Sequence, residues 1–369
     1  MENKLSRIYA LDNLKWFIIW LMVVFHAAMC YMAYAPEWWY VVDNADPQFS
    51  ATIFICWADI FIMPVMFFVS GYFGLMSLSK HGVKKFWRGK LLRIILPWIF
   101  GAMFIAPLVT YIILASRHSP MTFWEFYTTL FWGVLYQQAQ YWYLGALTAL
   151  YILLVCFCEL FPNFLTRTKK SPTIKFFATI FFLSMITIGL ISAHMPPDTW
   201  KFYGYILVLQ PVRIPTYIAI FFAGAVAWRQ RWFTDNGYIP QIWSWGAAFI
   251  LFGVLYILQR FGFILAEFGT VEKIWLNAFF QASFTIASVF FLIGLFCRKL
   301  NFTSPILKNL SSTSYSVYYL HMPILFFTAW IFLGVTIGVY LKYFTVCAIA
   351  LGLCFILSRA VMIQLPSFR

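Results

Sequence analysis

Apolar runs of helix length, separated by short polar breaks, repeat along the whole chain. A bilayer core about 30 Å thick needs on the order of 20 apolar residues for one helical crossing. The pattern therefore predicts an all-α fold with about ten transmembrane helices in a single membrane-embedded domain, residues 1–369. The predicted spans are residues 13–34, 51–78, 94–115, 141–161, 174–194, 206–228, 242–260, 274–297, 313–334 and 341–358.

Charged residues in or beside the polar breaks change sign from one break to the next. Positive residues collect at every second break, and they are Lys4, Arg7, Lys15, Lys80, Lys84, Lys85, Arg88, Lys90, Arg93, Arg167, Lys169, Lys170, Lys175, Arg229, Arg231, Arg298, Lys299, Lys308, Arg359 and Arg369. The other breaks carry Glu37, Asp43, Asp46, Glu125, Asp198, Glu267 and Glu272. Because basic loops stay on the cytoplasmic side, both termini are predicted to be cytoplasmic.

Residues 121–138, "MTFWEFYTTLFWGVLYQQ", are apolar enough to resemble an additional span. Counting them as a span would move the basic segment at residues 167–175 to the outer face and invert every later loop. Trp and Tyr are favoured at membrane interfaces, so we predict that this segment lies in the outer interface.

The composition agrees with a multi-pass membrane protein, since 63% of the residues are hydrophobic and only 10% are charged. Soluble domains are typically about 45–50% apolar and about 25% charged. The net charge of +14 raises the alternative of a nucleic-acid partner. Basic residues at the inner ends of spans explain that charge better, so the expected partner is the lipid bilayer and not nucleic acid.

Two ionisable residues fall near the bilayer midplane. His26 lies eleven residues after Lys15, or about 16 Å from the inner end of the first span. Asp59 lies eight residues into the second span, or about 12 Å from its outer end. Since these depths together approach the core thickness of about 30 Å, the carboxylate and the imidazole are predicted to pair. An imidazole held by an acid through one nitrogen takes a proton through the other, as a general base does.

These residues leave alternatives open. Ionisable groups inside a membrane are candidates for function, but His26 also suits a packing role with a hydrogen bond across helices. A transporter or flippase would use His26, Asp59 and Arg213 as a proton and substrate pathway. A purely structural scaffold is the third reading.

Five more side chains are candidates for binding. Arg88 and Arg93 lead into the third span, where guanidinium groups suit phosphate. From the charge count alone, retention of the loop on the cytoplasmic side and attraction to anionic lipid are the favoured explanation. Arg213 either reaches out to the interface or points into a cavity. His321 is either a structural hydrogen-bond partner or a site residue. Trp142 is an interface anchor by default, and we consider it for substrate binding.

Motifs for other chemistries are absent from the sequence. It contains no G-x-S-x-G, Walker loop, H-E-x-x-H or dinucleotide-binding fingerprint, so no metal is expected.

Six short motifs resemble the bacterial membrane acyltransferase family 3. They are "LDNLKWFIIWLMVVFHA", with a basic residue eleven positions before a histidine, "FFVSGYF", "FWRGKLLRIILPW", "YWYL", "FFAGAVAW" and "SYSVYYLH". Each motif is weak alone, but together they follow the family order over nearly the whole chain.

The resemblance implies a ten-helix enzyme in the bacterial cytoplasmic membrane. It would transfer an acyl group, commonly acetyl, from a cytoplasmic acyl-CoA to an extracytoplasmic glycan or lipid-linked sugar. The family's histidine corresponds to His26, and its CoA-binding basic residues correspond to Lys15, Arg88 and Arg93. Asp59 is then expected to orient His26 for catalysis, and Trp142, Arg213 and His321 are expected to bind the acceptor.

Two features depart from the family pattern. A lysine stands at position 15 where many members have arginine, and no acid follows His26 within one turn. The short chain after the last span also implies the compact form without a fused extracytoplasmic domain. That form is similar to the family's succinyltransferase of periplasmic glucans, so acetyl and succinyl donors both remain open.

Overall fold

The computed structural model describes residues 8–34, 40–234 and 236–368 and consists almost entirely of helices. The helices are α1 (Tyr9–Met29), α2 (Phe49–Ala58), α3 (Ile62–Lys90), α4 (Leu96–Phe100), α5 (Ala106–Ser116), α6 (Phe123–Phe126), α7 (Trp142–Leu160), α8 (Ile174–Ser192), α9 (Ile214–Arg229), α10 (Ile242–Arg260), α11 (Thr270–Lys299), α12 (Pro305–Ile331) and α13 (Val339–Ala360). π-Helical segments occur at Leu91–Ile95, Gly101–Ile105 and Tyr127–Phe131. Strands β1 (Lys201–Tyr203) and β2 (Leu207–Leu209) form one antiparallel hairpin. The charged residues Lys4, Arg7, Glu37 and Arg369 lie outside the described part of the chain.

Seven helical stretches in the described residues are long and apolar enough to cross a bilayer. They are Tyr9–Met29, Phe49–Ser116, Ala139–Leu160, Ile174–Ser192, Ile242–Arg260, Thr270–Lys299 and Val339–Gln364. The second stretch covers two predicted spans. The other two predicted spans correspond to α9, whose 16 residues extend only about 24 Å, and to α12, whose first half is rich in Ser and Thr. A multi-pass all-α protein is therefore confirmed, whereas ten crossings and cytoplasmic termini stay predictions.

The second predicted span is interrupted where the sequence pattern is continuous. Helix α2 ends at Ala58, and α3 begins at Ile62 with Pro64 in its first turns and continues to Lys90. A kink occurs at Gly82, whose φ of +70° is easily adopted only by glycine. The break at residues 59–61 places Asp59 at a helix end instead of inside a regular span.

The sixth predicted span, residues 206–228, begins too early. Residues 207–209 belong to the hairpin, and α9 begins only at Ile214. Pro211 lacks an N–H group and breaks the pattern, whereas Pro215 lies in the first turn of α9, where proline is favoured. This later start places Arg213 at the N-terminal end of α9.

The segment predicted to lie at the interface forms short helical turns. Phe123–Phe126 and Tyr127–Phe131 together extend about 14 Å at a helical rise, which is too short for a bilayer core of about 30 Å. The structure thus agrees with leaving this segment out of the span count.

Helix burial distinguishes the centre of the bundle from its periphery. In the most apolar 18 residues of each helix, 83% are buried in α11, against 22% in α8 and 11% in α10. Helices α8 and α10 therefore lie at the edge of the bundle, where they present apolar side chains to lipid.

Two glycines bring α3 and α9 into close contact. A Cβ atom at Gly71 would lie 1.9 Å from the carbonyl oxygen of Phe221, and one at Gly224 would lie 2.0 Å from that of Phe68. Small residues at such positions let helix backbones approach closely in membranes. The motifs "FFVSGYF" and "FFAGAVAW" therefore meet at one helix crossing.

Candidate active site

A cavity of about 530 Å³ lies between helix ends that the sequence predicts to face outward. Its wall includes residues from the second half of α1, from helix α2, from 137–140 and 142–143, and from 196 and 198–200. Four predicted site residues line it, namely His26, Asp59, Trp142 and Arg213. The side chain of Asp59 is 35% exposed and that of Asp198 is 45% exposed, so the cavity is open to solvent.

His26 lies in the last turn of α1, on the cavity wall. Its Nδ1 is 2.8 Å from the carbonyl oxygen of Met22 and 3.2 Å from Nε2 of His321. His321 is fully buried on α12, and its Nδ1 lies 2.6 Å from the carbonyl oxygen of Tyr318. The two rings form a dyad with His26 at the cavity and His321 behind it. His321 is therefore not among the residues that line the cavity, contrary to its predicted role in binding the acceptor.

One arrangement of protons on the two neutral histidines satisfies all three contacts. A carbonyl oxygen only accepts, so Nδ1 of His321 donates to Tyr318 and its Nε2 is an acceptor. Nδ1 of His26 then donates, shared between Met22 and His321. Nε2 of His26 is left unprotonated, and it has no hydrogen-bond partner among the described residues. These tautomers follow from the hydrogen-bond network.

The predicted pairing of His26 with Asp59 is wrong. The carboxylate of Asp59 lies 2.5 Å from Nη2 of Arg213, and its backbone carbonyl accepts a hydrogen bond from Nη1 of the same residue. The side chain of Arg213 is only 7% exposed. A buried guanidinium without a counter-charge is strongly destabilising, and Asp59 provides that charge. Asp59 and His26 thus share a cavity without bonding to each other.

Asp198 extends the Asp59–Arg213 pair into a network. Its Oδ1 lies 3.1 Å from Nη2 of Arg213, and its Oδ2 accepts a hydrogen bond from Arg260. Burial favours the neutral acid, but the guanidinium groups of Arg260 and Arg213 outweigh it and hold the pKa of Asp198 below its ordinary value.

Sequence reasoning gave no site role to Asp198 or Arg260. The only available signal was their charge at predicted outward helix ends, a property shared with many loop residues. Their shared ion-pair network, by contrast, requires the loop after α8 and the end of α10 to meet at Arg213.

Trp142 belongs to an aromatic part of the cavity wall. Its ring packs edge-on against Trp200, with 5.3 Å between centroids, and stacks on Tyr217 at 6.3 Å. Trp200 and Tyr217 also line the cavity. Aromatic faces and charged oxygen atoms therefore border the same space.

The three predicted donor-binding residues lie elsewhere. Lys15, Arg88 and Arg93 do not line the cavity. Arg88 and Arg93 are exposed near the end of α3 that is remote from the cavity. Lys15 lies on α1 about 16 Å before His26 at the helical rise. Their proposed role in binding CoA stays a prediction.

Two tyrosines lie between Arg93 and the cavity. Tyr318, at the cavity, stacks on Tyr315 with 6.1 Å between ring centroids. The hydroxyl of Tyr315 donates to the carbonyl oxygen of Arg93 at 2.6 Å. The hydroxyl of Tyr318 donates to the carbonyl oxygen of Gln140 at 2.5 Å. A polar, aromatic layer thus lies between Arg93 and His26.

A second connection runs through α3 and α7. The hydroxyl groups of Tyr143 and Ser70 lie 2.7 Å apart, and Tyr151 donates to the carbonyl oxygen of Ser70. The ammonium of Lys90 lies 4.0 Å from the ring centroid of Tyr151. Since Tyr143 lines the cavity, polar groups follow one another from Lys90 to the cavity through an otherwise apolar bundle.

Residues 8–34, 40–234 and 236–368 contain no group of three or more His, Cys, Asp or Glu side chains placed to hold a metal ion. A histidine, carboxylates, guanidinium groups and aromatic rings line the cavity.

Comparison with known proteins identifies the family of this chain. The profile of a family described as an acyltransferase domain matches residues 8–359. Glucans biosynthesis protein C of Escherichia coli O81 (strain ED1a) is 25% identical over 340 residues, which cover 88% of this chain and 84% of the relative. The protein of the same name from Salmonella gallinarum (strain 287/91 / NCTC 13346) is 25% identical over 342 residues, with the same coverage. No solved structure matches. Because the family profile covers almost the whole chain, this protein belongs to the membrane acyltransferase family 3.

Proposed function

We propose that this protein transfers an acyl group from a cytoplasmic acyl-CoA to a hydroxyl of an extracytoplasmic glycan or lipid-linked sugar. The observation that carries the proposal is the free Nε2 of His26 on the wall of a solvent-connected cavity. The glucan-related names of the distant relatives support a carbohydrate acceptor. Acetyl and succinyl are the acyl groups considered.

His26 acts as the general base in this proposal. Its Nε2 takes the proton of the acceptor hydroxyl while the oxygen attacks the thioester carbonyl carbon. The carbon–sulfur bond then breaks, and the CoA thiolate recovers the proton from Nε2. The competing route acylates Nε2 first and transfers the acyl group to the hydroxyl in a second step. Protein-bound label formed with donor alone and lost in His26→Ala would select that route.

Basic residues at the opposite end of the bundle hold the donor. Arg88 and Arg93, exposed beside Lys84 and Lys85, grip the phosphates of CoA, and Lys15 contributes a further positive charge at that end. The acyl arm then passes the tyrosine layer to reach His26. Arg88→Ala and Arg93→Ala should each weaken CoA binding, whereas the matched control Lys84→Ala should not. Unchanged CoA affinity in both arginine variants would indicate that the arginines only keep this loop on the cytoplasmic side.

The acceptor occupies the cavity. Trp142 provides an aromatic face for the apolar side of a sugar ring, and the carboxylate of Asp59 accepts hydrogen bonds from its hydroxyl groups. Arg213 holds that carboxylate in place. His321, and not Asp59, has the role of orienting His26 in this proposal.

Labelled donor provides the direct test. The purified protein is incubated with periplasmic glycan and either acetyl-CoA or succinyl-CoA carrying a labelled acyl group. We expect label on the glycan from one donor and its loss in His26→Ala, whereas His194→Ala, a variant of an exposed histidine outside the cavity, should remain active. No consumption of acyl-CoA and no acylated product would instead favour the transporter or flippase.

Orientation in the membrane is part of the proposal. We place the protein in the bacterial cytoplasmic membrane as one domain, with both termini in the cytoplasm and the cavity opening outward. Cysteine labelling of intact cells tests this. Ser50→Cys, near the cavity, should react with an impermeant reagent. Ser311→Cys lies near the beginning of α12, at the end of the bundle predicted to be cytoplasmic, and should react only after permeabilisation.

A further inference from the structure

A second cavity, of about 430 Å³, lies between α8 and α9, away from the candidate active site. Lys170 and Lys175 stand at one end of it with Ser171 and Thr173. Its other residues are mainly apolar, and they are Pro172, Phe176, Thr179, Ile180, Leu183, Ala219, Phe222, Ala223, Val226 and Gln230. We call this space the α8–α9 groove.

The sequence creates the groove through side-chain size. Ala219 and Ala223 lie one turn apart on α9, and their small side chains leave room opposite Ile180 and Leu183 of α8. From Lys175 to Leu183 the groove follows α8 for about 12 Å at the helical rise. Helix α8 is peripheral, so this space faces the acyl chains of the bilayer.

Charge is concentrated at one end of the groove. The groove contains no carboxylate, and neither Lys170 nor Lys175 has an acidic partner among the described residues. Backbone hydrogen bonds from Thr168 to Arg229 and from Lys170 to Gln230 hold this segment against the end of α9. Two unpaired cations are therefore placed at the mouth of an apolar slot, at the bundle end where basic residues predict the cytoplasmic surface.

We propose that the α8–α9 groove binds an anionic glycerophospholipid. The phosphate lies between Lys170 and Lys175, and one acyl chain follows Ile180, Leu183 and Ala219 toward the middle of the membrane. The lysines attract an anionic headgroup at the membrane surface. The apolar slot accommodates an acyl chain, which a free phosphate lacks, so both halves of the lipid contribute to binding. This site is independent of acyl transfer and of the cavity that contains His26.

Native mass spectrometry of the purified full chain tests the proposal. The protein is mixed with equal amounts of phosphatidylglycerol and phosphatidylcholine that carry identical acyl chains. We expect preferential retention of phosphatidylglycerol. Lys170→Gln and Lys175→Gln should each reduce that preference by about fivefold, the ratio that corresponds to about 1 kcal/mol for one lysine near an anionic surface. The control Lys169→Gln/Lys299→Gln removes two basic residues outside the groove and should keep the preference.

A second variant separates a lipid from a free phosphate. Ala219→Phe fills the slot but leaves both lysines, so it should reduce retention of phosphatidylglycerol several-fold. Inorganic phosphate in excess should not displace the lipid. An unchanged preference in the Lys170→Gln/Lys175→Gln variant, retention by Ala219→Phe equal to the parent, or complete displacement by phosphate would each overturn the proposal.

Discussion

Nδ1 of His26 lies 3.2 Å from Nε2 of His321, although 295 residues separate the two histidines in the chain. The contact joins α1 to α12 and orients His26 with its free nitrogen toward the cavity. His321 is itself held by the carbonyl oxygen of Tyr318. A neutral imidazole thus has the orienting position that the sequence had suggested for a carboxylate.

His321 should control kcat through the position of His26. His321→Leu removes one of the two acceptors for Nδ1–H of His26 and leaves only the carbonyl oxygen of Met22. We expect kcat to fall by about 100-fold, the lower range for a lost acid–base contribution. His321→Gln should retain more activity, because its side-chain oxygen accepts the same hydrogen bond. KM for the acceptor should change little in either variant. Steady-state kinetics on folded protein measure both quantities, and equal losses in kcat for the two variants would contradict the role.

Gly224→Ala should disrupt the contact between α3 and α9. The added Cβ would lie 2.0 Å from the carbonyl oxygen of Phe68, so the helices must separate. We expect the free energy of unfolding to fall by about 1–3 kcal/mol or more, as for other overpacked interiors. The matched control is Gly352→Ala in α13, where no atom lies within 4 Å of the added Cβ. Thermal unfolding in detergent should show a lower Tm for the first variant only.

Removing one partner of the ion pair between Lys342 and Asp43 should destabilise the protein more than removing both. Nζ lies 2.6 Å from Oδ2, and both side chains are less than a tenth exposed. Lys342→Met leaves a buried carboxylate without a partner and should cost about 3–5 kcal/mol. Asp43→Asn/Lys342→Met should recover much of this loss, because the amide oxygen of Asn retains the bond from the N–H of Ala45. Tm values for the single and double variants test this expectation. A double variant less stable than Lys342→Met would contradict it.

Asp198 should make stability depend on pH in the acid range. Its pKa is lower in the folded protein than the ordinary value of about 3.9, because Arg260 and Arg213 favour the carboxylate. Its contribution is therefore fully present above that ordinary value and is lost as pH falls through the folded pKa. Since the side chain is 45% exposed, we expect this contribution to the free energy of unfolding to be at most about 1 kcal/mol. Asp198→Asn should lower Tm at pH 7, and the difference from the parent protein should shrink below about pH 4. A constant difference would exclude this linkage.

Most helices could be predicted from the sequence because a bilayer constrains each one separately. A run of apolar residues must be long enough to cross and must satisfy its own backbone hydrogen bonds. The axial depth of His26 follows from its distance to Lys15 by the same reasoning. The family motifs likewise depend only on the local order of residues. Local breaks were less visible, since the break at residues 59–61 and the hairpin at residues 201–209 interrupt sequence that remains largely apolar.

The side-chain partners, in contrast, were decided by tertiary structure. Depth gives only one coordinate, so Asp59 and His26 could lie at similar heights and still face different neighbours. Arg213 takes Asp59 because its buried guanidinium requires a counter-charge, and His321 is left to hold His26. The sequence by itself determined that the chain forms long apolar helices, and it predicted an axial depth for His26 along the first of them. Only the packing of distant helices determined which atoms meet, because hydrogen bonds and ion pairs depend on distances of a few ångströms between side chains far apart in the chain.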